Sequence, residues 1–554
     1  MTASVVPSAP TARAVPRIDA RLLGFAPPAA VAAIVIANAW SGLMPGVGFW
    51  DTGEFQTILP IMGTAHPTGY PTYVLLGFVA NLLLFPIGEP AFRVTVLSLL
   101  AVALAAAATV VLVRRLTGST VVGIAAGLGL ATTPVVWANA TRADPHPIHL
   151  AFMALLLLAL VRWEQGRRAL IEAARDPEAQ GAAEGDVALP SDRSVDRRLI
   201  LAAIIFGLAA GNHSLTLLLI PPIVLFVLAT EPGILRRPRL ILTCLAATAV
   251  TVAVVFLELP IRGGLIPAPL IYAKPATWDG FWYIALAEQF RGALGDPFAN
   301  LPAKLEKLTT FTTGQIGLLA LAIPPAIVIA AARAPRYTLL TGLAIVITVL
   351  FNQAYANADI DRYYLGPVLI VWTWLAILAA EVATLAAVLL TSFTAGPNAP
   401  LESPAARRVS VAVAVILGIG LLMPALADEG DRRHRADRSG DVGAVRWLAE
   451  TLPQLAPNAV IVSWWTTSTP LWYAQKVQGL RPDLFIVDDR TMLDLDLGRA
   501  PDVIRRYLAE GRSVYAIRVD SNGDLAELTS QFDMTLVASG GSTGVWAVHG
   551  PLSQ

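Results

Sequence analysis

Long apolar runs separated by short polar turns fill the first 427 residues of this chain, and the texture then changes. Crossing a bilayer takes about 20 mostly apolar residues. Runs of that kind lie at 26–44, 94–113, 120–137, 148–163, 199–210, 215–230, 240–257, 316–331, 337–351, 365–390 and 409–426, so eleven spans are expected. Lys and Arg collect on the cytoplasmic side of membrane proteins. Here Arg114 and Arg115 follow the second run, and Arg162, Arg167 and Arg168 end the fourth. Arg236, Arg237 and Arg239 follow the sixth, Arg333 and Arg336 the eighth, and Arg407 and Arg408 the tenth. Every even-numbered exit is basic, which predicts a cytoplasmic N-terminus and an extracytoplasmic C-terminus.

That parity decides an ambiguous segment. Residues 70–86 are apolar enough to span, yet a span there would put Arg114 and Arg115 outside. They are expected instead as a juxtamembrane helix within a first external loop at 46–93, an ordinary span being the alternative. The stretch 199–230 is too long for one span and short for two at about 1.5 Å per residue. Gly211-Asn212-His213 marks the break of a tight helical hairpin. Residues 1–25 are Pro/Ala-rich with Arg13, Arg17 and Arg21, and read as a disordered cytoplasmic tail before a signal anchor. The insertion at 164–198 reads as cytoplasmic and mobile, and 258–315 as a large external loop. Beyond 428, short apolar strands at 459–463, 484–487 and 513–517 alternate with helical stretches at 442–452 and 501–509. Such alternation predicts an external α/β domain over 428–554 with a partly parallel sheet. No internal repeat is evident, which weakens an inverted-repeat transporter.

Composition agrees: 55% of residues are hydrophobic, 14% are charged and mean hydropathy is +0.62. A soluble protein carries roughly a quarter charged residues, so the chain is a polytopic membrane protein. Forty basic and forty acidic residues balance to a net charge of zero, which excludes a nucleic-acid partner. The single cysteine, Cys244, excludes a disulfide framework and a thiolate metal cluster.

Ionisable groups at membrane depth are costly and mark function. They gather in four places: Trp50-Asp51-Thr52-Gly53-Glu54 with His66, Tyr70 and Arg93; Arg142, Asp144, His146 and His149; Asn212 and His213; and Asp359 to Tyr364, with Arg362 and Tyr363. Four of the six histidines fall on these turns. Under the predicted topology all four clusters share the outer side, so one outward polar cleft accounts for them. Each has a plainer reading. Asp51 and Glu54 suit the first turn of a helix, and His146 with His149 has the spacing of a metal pair. His213 suits a helix cap, Arg93 snorkelling and Arg362 an interfacial anchor. An outward carboxylate cleft at a lipid surface suits transfer of a sugar from a lipid-linked phosphosugar. A carboxylate takes the acceptor proton, and arginine offsets charge on the departing phosphate. There is no phosphate-cradling glycine loop of the Walker or dinucleotide type.

These residues also carry a resemblance. W-D-T-G-E-F (Trp50–Phe55), A-H-P-T-G-Y-P-T-Y-V-L-L-G (Ala65–Gly77) and F-R-V (Phe92–Val94) resemble the opening of a protein O-mannosyltransferase-like membrane family, whose eukaryotic member mannosylates plexin-type domains. G-L-A-A-G-N-H (Gly207–His213), D-R-Y-Y-L-G-P (Asp361–Pro367) and P-L-W-Y-A-Q-K-V-Q-G-L-R-P-D (Pro470–Asp483) are similar to its later signatures. The resemblance implies a GT-C fold with juxtamembrane helices in the first external loop, and a sugar donor on polyprenyl phosphate. It implies Asp51 as general base with Glu54 as its partner, and Arg93 as the arginine that closes the same loop; Arg93 and Arg362 are expected on the donor phosphate. His66, Tyr70, Asp144, His146, His149, Asn212, His213 and Tyr363 would shape the substrate pocket. One departure stands out: where the family has a Glu-Val-Tyr-type segment, this chain has Asp144-Pro145-His146, leaving donor sugar and acceptor pose open. The expected activity is an inverting hexosyl transfer, of mannose by resemblance, to a protein Ser/Thr or an envelope glycan outside a cell membrane. No cofactor is certain; a divalent ion on Asp51, Asp144 or the histidines is left open. A transporter or lipid flippase with a polar path past Glu381, and a non-catalytic envelope scaffold, are the rival classes.

Overall fold

The computed structural model describes residues 20–175, 191–395, 404–519, 523–540 and 543–552. Each of the eleven expected runs is helical. Eight helices are by themselves long and apolar enough to cross a membrane, or nine if a bent pair counts as one span, among the described residues. The chain is a multi-pass membrane protein.

The shortfall from eleven has local causes. Helix Thr120–Ala131 bends by 66° into Pro134–Ala140. Thr133 is extended ahead of Pro134, whose ring leaves no N–H to continue the ladder. The expected hairpin at 199–230 is two helices: Asp192–Asn212, and Ser214–Thr230, which is apolar but short. His213 separates them in an extended conformation, φ −158° and ψ 135°. The first begins in the charged turn Asp192–Arg198, so its sequence is less apolar than its length suggests. Segment 70–86 is helix Pro71–Leu83. Thirteen residues rise about 20 Å, less than the roughly 30 Å hydrocarbon core.

Two expected irregular segments are largely helical where described. Residues 20–25 open helix Ala20–Ala39, while 1–19 lie outside the described residues. Helix His146–Arg175 runs on through Glu164, and Asp192 starts the next; between them, 176–190 lie outside the described residues.

Small residues let the apolar helices approach closely. A Cβ on Gly123 or Gly127 would stand 2.8 Å from the Val110 carbonyl and 2.7 Å from that of Ala106, on helix Pro90–Thr117. Lipid-side positions such as Leu242, Leu245 and Val250 remain exposed.

The C-terminal part holds a five-stranded sheet ordered β2-β1-β3-β5-β4. Its strands are β1 (Val460–Val462), β2 (Phe485–Val487), β3 (Val514–Val519), β4 (Phe532–Gly540) and β5 (Thr543–Pro551). β1 pairs in parallel with β2 and β3, while β5 is antiparallel to β3 and β4. Alternation along the strands builds two layers. Val460, Val462, Val514 and Ala516 face a core with Val503 and Ile504 of helix Ala500–Ala509. Ile461, Tyr515 and Ile517 face the other side, where Trp447, Leu471 and Trp472 meet Val47 and Ala91 of the membrane part. The Ala91 N–H donates to the Tyr473 hydroxyl at 3.1 Å, so the later signature Pro470–Asp483 is a docking element.

Candidate active site

Helix Trp50–Ile61 puts Asp51 in its first turn. Gly53 sets how deeply the helix seats: a Cβ there would fall 2.2 Å from the Gly48 carbonyl oxygen and 2.8 Å from Thr469 Oγ1. Gln56 ties the preceding loop down, accepting from Gly48 N–H at 2.8 Å and donating to the Gly46 carbonyl at 3.0 Å. Three glycine- and amide-dependent contacts thus fix Asp51 against the opening loop.

Asp51 is held by Arg362, 311 residues away. One guanidinium bridges two carboxylates: Nη2 donates to Asp51 Oδ2 at 2.7 Å and Nη1 to Asp144 Oδ2 at 2.9 Å. The planar fork of arginine holds both contacts in one rigid geometry, which the flexible ammonium of lysine does not. Asp144 Oδ1 accepts from the backbone N–H of His146 at 2.8 Å and meets its Nδ1 at 2.6 Å. Arg142 lies 3.7 Å from Asp144 and donates to Asp359 at 2.6 Å. Burial pushes the Asp51 carboxyl up, but His66 and Arg362 outweigh it and hold it below its usual range. Burial likewise opposes ionisation of Asp144, yet His146, Arg362 and Arg142 hold it well below that range.

Asp51, His66, Tyr70, His213, Arg362 and Tyr363 line one open cleft of about 1060 Å³. Glu54, Asp144, His146, His149 and Asn212 are buried and do not line it. They stand behind the wall: Glu54 on His66, Asp144 on Arg362, and Asn212 donating to the Pro145 carbonyl at 3.1 Å. His146 and His213 lie tilted against each other with centroids 4.6 Å apart, and Nε2 of each is buried without a hydrogen-bond partner. His213 Nδ1 accepts from Leu215 N–H at 3.1 Å, the capping contact expected of it. His149 Nδ1 lies 3.4 Å from the Thr216 hydroxyl. The metal-pair spacing of His146 and His149 leads to no shared centre. Among the described residues, no three His, Cys, Asp or Glu side chains converge to hold a metal ion.

Arg93, expected on the donor phosphate, does not line the cleft. Its Nε and Nη2 donate to the Gly88 carbonyl at 3.1 and 2.8 Å, and its guanidinium lies 5.0 Å over the Phe85 ring. The loop before helix Pro90–Thr117 exposes carbonyls with no helical donor, and Arg93 supplies it. The cleft residues that the motifs did not single out include Trp464, Trp465, Thr466 and Asp489 at the ends of β1 and β2, several residues between 285 and 294, and, from other elements, Tyr272, Phe351, Tyr355, Arg438 and Asp441. Ligands in open α/β sheets sit beyond the carboxyl ends of parallel strands, a signal available once the parallel order was read.

Residues 51–233 match the family described as Protein O-mannosyl-transferase TMEM260 N-terminal domain. The mouse (Mus musculus) Protein O-mannosyl-transferase TMEM260 is 35% identical over 119 residues, 22% of this chain and 17% of the mouse protein, so the match spans under one fifth of that relative. The crystal structure of ArnT from Cupriavidus metallidurans in the apo state is similar with TM-score 0.57 and 16% identity, over 96% of this chain and 98% of ArnT. ArnT from the same organism bound to undecaprenyl phosphate gives TM-score 0.55 and 16% identity, over 95% of this chain and 98% of that one. At that identity the likeness is one of fold. Residues 51–233 therefore match the TMEM260 O-mannosyl-transferase N-terminal domain, on a chain whose fold is like that of ArnT.

Proposed function

We propose that this protein is an inverting glycosyltransferase. It moves a hexose, mannose by resemblance, from a polyprenyl-phosphate carrier to an acceptor hydroxyl on the external side of the membrane. The acceptor is a protein Ser/Thr or an envelope glycan. The observation that carries the reading is Asp51 at the wall of an open cleft, ion-paired to the arginine that also holds Asp144. Two comparisons support it: the mouse relative's name is that of an O-mannosyl-transferase, and the second ArnT structure holds undecaprenyl phosphate.

In this mechanism the acceptor oxygen attacks the anomeric carbon from the face opposite the phosphate. Asp51 takes the hydroxyl proton as the bond forms. Arg362, fixed by Asp144 from behind, faces the charge that builds on the leaving phosphate. Tyr70, His213 and Tyr363 shape the sugar pocket, and His146, His149 and Asn212 support them. Arg93 acts at one remove by closing the first loop. No step runs through a metal. The external side rests on the charge parity of the loops. A transporter is less favoured: Glu381, the clearest mid-span carboxylate, is paired with Arg333 at 2.8 Å.

The test is transfer of radiolabelled mannose from polyprenyl phosphate by the purified protein in nanodiscs, with Asp51→Asn beside it. General-base loss predicts a drop of about 10²- to 10⁴-fold in a variant of unchanged thermal midpoint. Full turnover by folded Asp51→Asn would remove Asp51 as the base.

A further inference from the structure

Glu54 does not reach the cleft. It is 2% exposed, and both carboxylate oxygens are spent on His66. Oε1 accepts from the His66 backbone N–H at 2.8 Å and Oε2 meets Nδ1 at 2.5 Å. His66 does line the cleft, as do Asp51 and Arg362, and its charge acts on Asp51. Its second ring nitrogen, Nε2, stands 3.3 Å from the Tyr70 hydroxyl. Aromatic rings box the imidazole: Phe55 at 5.7 Å, Trp465 at 5.6 Å and Phe290 at 6.2 Å between centroids. A carboxylate on Nδ1 fixes the tautomer, leaves Nε2 as the acceptor and stabilises the imidazolium that forms when it takes a proton. Asp51 is placed differently. Its Oδ2 is committed to Arg362, and a carboxylate so paired holds a transferred proton poorly.

We infer that His66, oriented by Glu54, is the proton station of this site: the proton received by Asp51 from the acceptor hydroxyl passes to Nε2 of His66. The inference rests on the function proposed above. A lone pair of the acceptor oxygen forms the bond to the anomeric carbon. The bond from that carbon to the phosphate oxygen breaks, and its electron pair leaves with the prenyl phosphate. The acceptor proton ends on His66 as an imidazolium facing Glu54, and water in the open cleft removes it. Asp51 returns to its anionic, Arg362-paired state before the next turnover.

The groups facing His66 set the pH at which this works. Helix Trp50–Ile61 brings Glu54 and Asp51, turn Ile360–Tyr364 brings Arg362, and the loop before helix Pro71–Leu83 brings Tyr70. The C-terminal sheet brings Asp489 to the same cleft. Burial lowers the proton affinity of the imidazole, but Glu54 and Asp51 outweigh burial and Arg362, leaving it above the ordinary histidine value. The relay needs neutral His66, so turnover rises with pH through a limb above about 6.5.

The experiment is the pH–rate profile of mannosyl transfer from polyprenyl phosphate for wild type, His66→Gln and Glu54→Gln, each checked for an unchanged thermal midpoint in detergent. His66→Gln is expected to lower kcat by about 10- to 100-fold, leave donor KM within about threefold, and abolish the limb. Glu54→Gln removes the charge that raises the imidazole, so its limb moves to lower pH. A merely structural role would lower kcat in both and move neither limb. Wild-type transfer with the limb unmoved in both variants overturns the relay alone. Wild type that transfers no hexose from polyprenyl phosphate overturns the function and the relay with it.

Discussion

Two arginine networks sit toward opposite ends of helix His146–Arg175, whose 30 residues rise about 45 Å. At one end Arg362 bridges Asp51 and Asp144. At the other, Arg167 bridges Asp192 and Glu231 at 2.7 Å each, and Arg237 pairs with Asp196 at 2.5 Å and Glu231 at 3.3 Å. Bond lengths do not distinguish them; surroundings do. In the first, Asp144 is 2% exposed, Arg362 is 11% exposed, and Asp51 opens onto the cleft. In the second, Glu231 is also buried, 5% exposed, but Asp192 is 68% exposed and neither arginine borders the cleft, so the hollow is what separates the two. A salt bridge thus points to chemistry only where a low-dielectric wall holds one partner and a hollow meets the other. Elsewhere it records which end of the helices is basic.

The sharpest way to break this comparison is Arg362→Gln. It leaves two carboxylates facing each other, one of them buried, and removing one partner of a buried pair costs about 3–5 kcal/mol. The expected result is a lower thermal midpoint and at least tenfold slower transfer; a neutral outcome in both would make the two networks equivalent. Arg93→Lys comes next. Lysine cannot reproduce the forked contacts to the Gly88 carbonyl, so about 1–2 kcal/mol of stability should go, with donor KM unmoved. A large rise in KM would return Arg93 to the donor phosphate.

A smaller effect concerns pH and a carboxylate outside both networks. Asp488 at the end of β2 is fully buried, and burial pushes its carboxyl up to about 6, despite hydrogen bonds from Thr491. A folded pKa above the unfolded one near 4 means stabilisation present below pH ~4 and lost as pH rises through ~6. Asp488→Asn keeps the Thr491 cap and should raise the unfolding free energy at pH 8 by on the order of 2 kcal/mol, and the thermal midpoint with it, but not at pH 4. Asp51 and Asp144 have the opposite sign: their stabilisation is present above the unfolded value and disappears as pH falls below ~4. Smallest for transfer, Arg237→Gln at the far end should leave turnover unchanged, and because Arg167 still pairs with the buried Glu231 its cost in stability should stay at about 1–3 kcal/mol. Lost transfer there would erase the distinction between the networks.

How far the site was legible differs by residue. Asp51, Arg362, Asp144 and the four histidines were marked by being ionisable in an apolar chain, and the structure brings them around one cleft and its supporting wall. Arg93 carried the same mark, but its donors serve carbonyls five residues away, a local need that composition does not reveal. Trp464, Trp465 and Asp489 carried no mark, because tryptophans and acids are ordinary at a strand end. The hairpin β4 and β5 went unread, since its pattern is weaker than that of the buried parallel strands.

The sequence by itself determined that the chain lives in lipid, which stretches are apolar helix, and that its polar residues fall on a few turns. These are properties of local hydropathy and backbone chemistry, additive along the chain. Only the tertiary structure decided that Arg362 would clasp carboxylates 311 and 218 positions away, that Glu54 would serve His66 rather than the cleft, and that a sheet would close one side of the hollow. Such pairings depend on which helix faces meet, and many arrangements of the same spans satisfy hydropathy equally well.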